Sequence, residues 1–523
     1  MIVVNNGRSF TDPIQRTIGV LYDEEMHIED ALGEIEDTIP SLYLDDQVRG
    51  LLTDVILPKC SAISIEFPYF DSDYLSTYYL HYARCFRKYR KECCRIILYG
   101  LDSEETCIGY MSLRPLPETR KIGKTYLDPT VFSKEKGYII CGKYKVHYQG
   151  EESTVSAMPY MKQEQYVAVC SHVCLWSAIR FFSSRFSNYP NYVMGEIIER
   201  VTSPDERKVP SHGLNTSQIS SVLMDVGFSC TILRRDSTGF EGAPLVEQLC
   251  AYLDSGIPVI CISNSLGHAV IACGRTDVNL ESVEDMDERF AKEKSLINDG
   301  AEGERPVLIL ESSLVKGVIV NDDNENPYHK ITVHHKNTDD NRKRFLRLSQ
   351  IDYCVVPLNS RMQLNYSAAK DIMQLIYHQK DENGRFSYEW RSDVDADDRV
   401  HIMKISLVSS NTFKEWIREN INEGKLPNDF FYLLKIAYPR FCWLGELSSQ
   451  KEYEQGLCSG FVVLDSTCSP TDNAACIIVS DNKECIVNHV EDTTENVEMD
   501  SFEYNNKFQI PLFRKNYEEV GQW

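Results

Sequence analysis

The chain has 523 residues, and 55 Lys and Arg against 78 Asp and Glu leave a net charge of −23. With 42% hydrophobic and 11% aromatic residues it is too apolar for a disordered chain, and its length points to two to four packed units. The acidic balance disfavours a nucleic-acid binder and an anionic-membrane binder.

The opening stretch, MIVVNNGRSFTDPIQRTIGV, has no basic segment followed by an apolar run, so it does not read as a secretory signal. No stretch reaches the ~18–20 apolar residues that span a bilayer. The 18 cysteines are scattered through apolar segments such as 94–98 and 259–262. They read as reduced, buried thiols, which points to a cytoplasmic protein.

From 1 to about 150 the pattern is mixed. Residues 72–90 read as a helix with Ser72 and Asp73 as cap candidates, followed by strands at 95–99, 107–113 and 137–148. Arg84, Arg87, Lys88, Arg90 and Lys91 read as a solvated face of that helix, with a site for an acidic partner as the alternative. A second region, 151–358, is the most legible. After a short loop, Cys174, Leu175, Ala178 and Phe182 fall on one helical face. A second helix is capped by Asn215 or Thr216 and stopped by Gly227, and a strand follows at 230–233. A third helix opens at Pro244 and closes at Gly256. Strands are predicted at 257–263 and 268–273, an exposed acidic insertion at 275–306, and further strands at 307–311 and 315–320. Helices followed by a packed set of strands predict an α+β fold. The third region, 359–523, mixes helices at 366–379 and 412–422 with strands at 460–464 and 475–480, and 490–506 reads as an acidic loop.

Several motifs fail. Gly123-Lys124-Thr125 lacks the leading glycine of a phosphate loop, since that position is Glu118. The run Asp393-Val394-Asp395-Ala396-Asp397 lacks the turn glycine and the closing Glu of a calcium loop, having Asp398 and Lys404 there. Cys170, His172 and Cys174 cannot close a zinc tetrahedron from one helix, because positions i and i+2 point apart. Cys93 and Cys94 read as packing residues. No metal or cofactor is implied.

One constellation survives. If a helix starts at Cys170, its thiol sits among unpaired backbone N–H groups at the positive end of the dipole, which favours a thiolate and supplies donors to an oxyanion. A Gln a few residues upstream can add a side-chain donor. His268 stands where a loop enters an apolar strand and can act as base and ion-pair partner. The strand 318–321 runs into Asp322, Asp323 and Asn324, any of which could orient an imidazole.

These segments resemble papain-like cysteine peptidases, closest to the bacteriocin-leader-processing (C39-like) branch and its bacterial relatives. The likeness runs over about 161–328 and rests on the Gln-containing loop before Cys170, Gly227-Phe228, Gly256-Ile257-Pro258-Val259-Ile260 and His268-Ala269-Val270 in that order. Cys170 and His268 stand 98 residues apart, shorter than the ~130–150 of the plant enzymes. The resemblance implies a papain-like fold with Cys170 as nucleophile, His268 as base, Asp322 as orienter and Gln165 as oxyanion donor. Asp323 is an alternative to Asp322, and Cys174 a second thiol on the buried face. The family places its Gln six residues before the Cys. Here Gln165 stands five before and Gln163 seven before, with Glu164 between them, and Ser171 replaces the usual following Gly. The expected function is cytosolic cleavage of a protein or peptide substrate. Side-chain deamidation or isopeptide cleavage, and a catalytically silent interaction or sensor module, are the alternatives.

Overall fold

The computed structural model describes residues 13–20, 25–101, 106–116, 120–133, 136–201, 208–211, 213–235, 243–278, 280, 307–332, 348–380, 400–469, 475–480, 484–490, 497–504 and 508–520. The 393–398 run and nearly all of the acidic insertion lie outside these residues. The fold is mixed α+β, with three main sheets that are antiparallel apart from one parallel pair. Among the described residues no helix is long and apolar enough to cross a membrane.

The first sheet runs in chain order through Ile14–Gly19, Ala62–Tyr69, Cys93–Tyr99, Cys107–Leu113 and Ile122–Leu127. Its last strand guides the chain toward the middle of the molecule. Thr125 N donates to Tyr160 O at 2.9 Å and Lys162 N to Ile122 O at 3.1 Å. The central sheet orders His329–Thr332, Gly317–Asn321, His268–Thr276, Val259–Ser263, Tyr353–Asn359 and Phe228–Arg234. Gly137–Ile139 joins it beside the His268 strand, and Glu518–Val520 pairs with Gly137–Ile139. The third sheet begins with Val307–Leu310, parallel to Val400–Ser409, and continues through Phe441–Ser449 to an edge at Val497–Glu503.

The helix Cys170–Arg185 packs against the His268 strand and its neighbour. Every residue from Ser171 to Phe182 is buried, the pattern of a helix enclosed on all sides. Two of its polar members meet a buried carboxylate: Trp176 Nε1 donates to Asp73 Oδ1 at 2.9 Å, and an Arg180 guanidinium nitrogen does so at 3.0 Å. The helix Thr216–Val226 starts at Asn215, whose side chain accepts from Gln218 N while the Gln218 side chain accepts from Asn215 N. It ends at Gly227 with φ 109°, a left-handed conformation that glycine adopts without a Cβ penalty.

Three local expectations change. The predicted 72–90 helix covers only Ser72–Leu80, capped by Asp71 rather than by Ser72 or Asp73, and a 3-10 turn follows at Tyr82–Arg84. Continuing the helix would stack Arg84, Arg87, Lys88 and Lys91 at like-charge i,i+3 and i,i+4 spacings. The predicted 137–148 strand is two strands in different sheets, Gly137–Ile139 and Gly142–Tyr148. The acidic 490–506 stretch contains the strand Val497–Glu503, paired with Glu484–Val490. Backbone pairing at a sheet edge offsets its weak side-chain pattern.

Candidate active site

The helix does begin at Cys170. Its N-cap is Val169, extended at φ −89° and ψ 175°, which has no side-chain acceptor to offer. The N–H groups of Cys170 and Ser171 therefore have neither a side-chain cap nor an intrahelical acceptor, whereas His172 N and Val173 N donate to Val169 O at 2.9 and 3.1 Å. Other helices of the chain close the same end with Asp71, Asn215, Asn365 or Ser409. No acidic residue occupies the first turn. Cys170 is half-buried, whereas Cys174 one turn later is 2% exposed.

His268 follows a tight hairpin turn over 264–267. Gly267 takes φ 57°, Gly267 N donates to Asn264 O, and Asn264 N is held by Asp352 Oδ2 at 2.7 Å. His268 itself pairs with Ser263 as the first residue of its strand. The neighbouring strand pairs Asn321 with Ile271 in antiparallel register, so the residues that follow Asn321 run back toward His268. Asp322 then lies opposite Val270 and on the same face as His268, a diagonal neighbour across the ladder.

The resulting contacts define a triad-like group. His268 Nε2 lies 2.9 Å from Asp322 Oδ1 and 3.6 Å from Asp323 Oδ1. Asp322 Oδ1 also accepts from Asn324 N at 2.9 Å, and Asn324 Nδ2 lies 3.3 Å from His268 Nε2. The Cys170 thiol is within hydrogen-bonding reach of the same ring. The turn itself is pinned by Asn321, whose Oδ1 accepts from Tyr328 N at 3.0 Å and whose Nδ2 donates to Pro159 O at 3.3 Å.

Burial works against the imidazolium, but hydrogen bonds to Asp322 and Cys170 and the charges of Asp322 and Asp323 outweigh it, so the His268 pKa is pushed up to about 11. Burial would raise Asp322 as well, yet the His268 hydrogen bond and charge hold it below the usual carboxylate range. Asp323 is different. Both its oxygens lack a hydrogen bond among the described residues, and burial pushes its pKa up to about 7. His172 is buried, its Nδ1 is without a hydrogen bond, and burial alone pushes its pKa down to about 4. Burial likewise pushes Cys174 well up.

Ligand atoms of His268, Asp322 and Asp323 lie within 4.8 Å of one another, a spacing that could hold a metal ion. An ion there would have to displace the proton shared by His268 and Asp322 at their 2.9 Å contact. The geometry fits an oriented imidazole without one.

Gln165 is exposed in the irregular stretch before the helix, and its side chain makes no hydrogen bond among the described residues; Gln163 is half-buried. Glu164 is buried. Its carboxylate accepts from Thr77 at 2.9 Å, Arg114 at 3.2 Å and Tyr82 at 2.9 Å, while its backbone N–H donates to Ala168 O at 2.6 Å. A carboxylate only accepts, so the sixth position before Cys170 supplies no oxyanion donor. It fastens the loop before Cys170 to the helix Ser72–Leu80, the 3-10 turn after it and the residue that follows the strand Cys107–Leu113 instead. Asn324, offered by the sequence as one of three candidate orienters, lies at the ring beside Asp322, and the role of Glu164 is the one that sequence reasoning missed.

No family model matches the chain, and neither a curated protein nor a solved structure gives a significant match.

Proposed function

We propose that the chain is a cysteine-dependent acyl-transfer enzyme of papain-like architecture, a peptidase acting on a protein or peptide substrate in the cytoplasm. One observation carries the reading: His268 stands between a carboxylate, Asp322, and a thiol, Cys170, that heads an uncapped buried helix.

In this mechanism the Asp322 carboxylate holds the Nε2–H tautomer, so Nδ1 faces the sulfur. The Cys170 thiolate attacks the substrate carbonyl carbon, forming a C–S bond, and the π electrons move onto oxygen. Backbone N–H groups at the helix start receive that oxyanion, with Gln165 or Gln163 as the side-chain donor. The imidazolium gives its proton to the leaving nitrogen, and the C–N bond breaks. Acylation removes the negative sulfur that helped hold the proton on His268, which favours this transfer. Water then attacks the thioester, His268 takes its proton, and the C–S bond breaks to release a carboxylic acid and regenerate Cys170.

The test is covalent labelling. A peptide vinyl sulfone or similar acyl-mimic should modify Cys170, located by mass spectrometry, and the variant Cys170→Ala should take no label. A folded parent chain that leaves Cys170 unmodified, or that is labelled at Cys174, sinks the assignment. With a cleavable partner in hand, a new peptide terminus supports a peptidase, and a one-dalton Gln-to-Glu shift supports deamidation by the same residues.

A further inference from the structure

A basic and aromatic surface lies beside the loop that precedes Cys170. It is built from the 3-10 turn Tyr82–Arg84 and the irregular stretch after it, where Arg84, Phe86, Arg87 and Lys88 are all exposed. Five of the eight residues 84–91 are basic, in a chain whose net charge is −23. Arg90 is spent on Glu92 at 3.5 Å. Arg84, Arg87 and Lys88 have no carboxylate partner among the described residues; Arg87 lies 5.4 Å from the Tyr89 ring instead.

Ten large apolar side chains are exposed among the described residues, and four of them belong to this neighbourhood: Phe70, Tyr79, Phe86 and Tyr166. Phe86 is fully exposed. A run of contacts leads from these residues to the site. Lys91 Nζ lies 6.0 Å from the Phe70 ring, Tyr82 packs on Tyr89 at 4.9 Å, and His81 packs on Tyr82 at 5.2 Å. His81 also meets Tyr166 at 6.4 Å between ring centroids, and Tyr82 donates to Glu164. Tyr166 is four residues before Cys170.

We infer that this surface binds an acidic segment of the protein substrate, its carboxylates on Arg84, Arg87 and Lys88 and its apolar side chains on Phe86 and Tyr166, and so steers the neighbouring backbone toward Cys170. The inference rests on the acyl-transfer reading and adds the substrate's chemical class to it. Charge complementarity argues for an acidic occupant: in an acidic body, unpaired cations on one short stretch select a partner locally and repel basic ones. A nucleic acid is disfavoured because its many phosphates would also meet the surrounding negative field. Guanidinium groups pair with carboxylates in bidentate fashion, and the flanking rings supply apolar area at low entropic cost.

The experiment measures fluorescence anisotropy of labelled nine-residue peptides, repeats of Glu-Ser-Leu, Gln-Ser-Leu or Lys-Ser-Leu, on the full chain carrying Cys170→Ala. The Glu peptide should bind at least tenfold more tightly than the Gln peptide, with the advantage falling as salt is raised through physiological strength. The charge-swapped variant Arg84→Glu/Arg87→Glu/Lys88→Glu should reverse the order and prefer the Lys peptide. Equal affinity for the Glu and Gln peptides, an unchanged order in the swapped variant, or tighter binding of a labelled oligo-dT through the same residues would each overturn the inference. Glu-peptide binding by a chain whose Cys170 ignores the acyl-mimic keeps the surface and removes the enzyme. Labelling at Cys170 without peptide discrimination does the opposite.

Discussion

The strand His268–Thr276 carries a charged group at each end, and the two ends differ in kind. Near its far end Arg275, 1% exposed in its side chain, donates from Nε to Asp254 at 2.6 Å, from one terminal nitrogen to Glu311 at 2.8 Å and from the other to Thr276 O at 3.2 Å. Tyr453 also donates to Glu311, and Lys404 pairs with Glu446 at 3.4 Å, so this cluster ties the central sheet to the third. At the near end His268, 12% exposed, faces one carboxylate, Asp322, whose Oδ1 meets both the ring and Asn324 N, and a second, Asp323, that has no hydrogen bond among the described residues. The far end fixes a permanently charged guanidinium between two buried carboxylates, although Glu311 Oε2 has no hydrogen bond among the described residues. The other keeps a surplus of acceptors around a half-open ring, an arrangement suited to moving a proton.

The sharpest way to break the contrast is at the near end. His268→Ala should slow acyl-mimic labelling of Cys170 on the order of 10²–10⁴-fold, read by mass spectrometry on chain that circular dichroism shows to be folded. At the far end Arg275→Ala should leave Asp254 and Glu311 buried and uncompensated. About 3–5 kcal/mol of stability should be lost, measured by urea unfolding.

Asp323 supplies a subtler test. Its folded pKa of about 7 lies above its ordinary value of 3.8. Between those values the folded state holds a proton that the unfolded state has released, so stability falls as pH rises through that window. Above pH 7 the penalty is complete. Asp323→Asn should therefore remove this pH dependence and stabilise the chain at pH 8 by roughly 2–4 kcal/mol. His268, Asp322, Arg120 and Lys162 act on Asp323 by charge, so unfolding at several pH values, rather than one, isolates its share. The smallest effect is expected at Cys174→Ala, roughly 1 kcal/mol of stability, with labelling at Cys170 retained.

The parts of the site that depend on local rules were legible. Apolar spacing marked the buried face of the Cys170 helix, and Asn215 and Gly227 bounded the next one as caps. A histidine at a strand start and an acidic turn after a strand were visible too, but only register could bring them together, and register needs the partner strand. Glu164 was opaque for the same reason: its partners Thr77, Tyr82 and Arg114 lie 87, 82 and 50 residues away. The helix over 72–90 was overread because cap chemistry and apolar spacing persist locally while the accumulating positive charge ends it.

The parallel pairing of Val307–Leu310 with Val400–Ser409 has a consequence for handling the protein. A few residues after that strand the chain enters Gly317–Asn321, the strand that delivers Asp322. The same sequence segment thus belongs to two sheets, and the closing strand Glu518–Val520 pairs with Gly137–Ile139, beside the His268 strand. Asn516 Nδ2 adds bonds to Asp254 O and Leu407 O, both 3.0 Å. A chain cut after residue 358 would therefore not yield a smaller folded unit. It would leave orphaned edges at Gly137–Ile139 and Val307–Leu310, and self-association is what gel filtration of such a fragment should report.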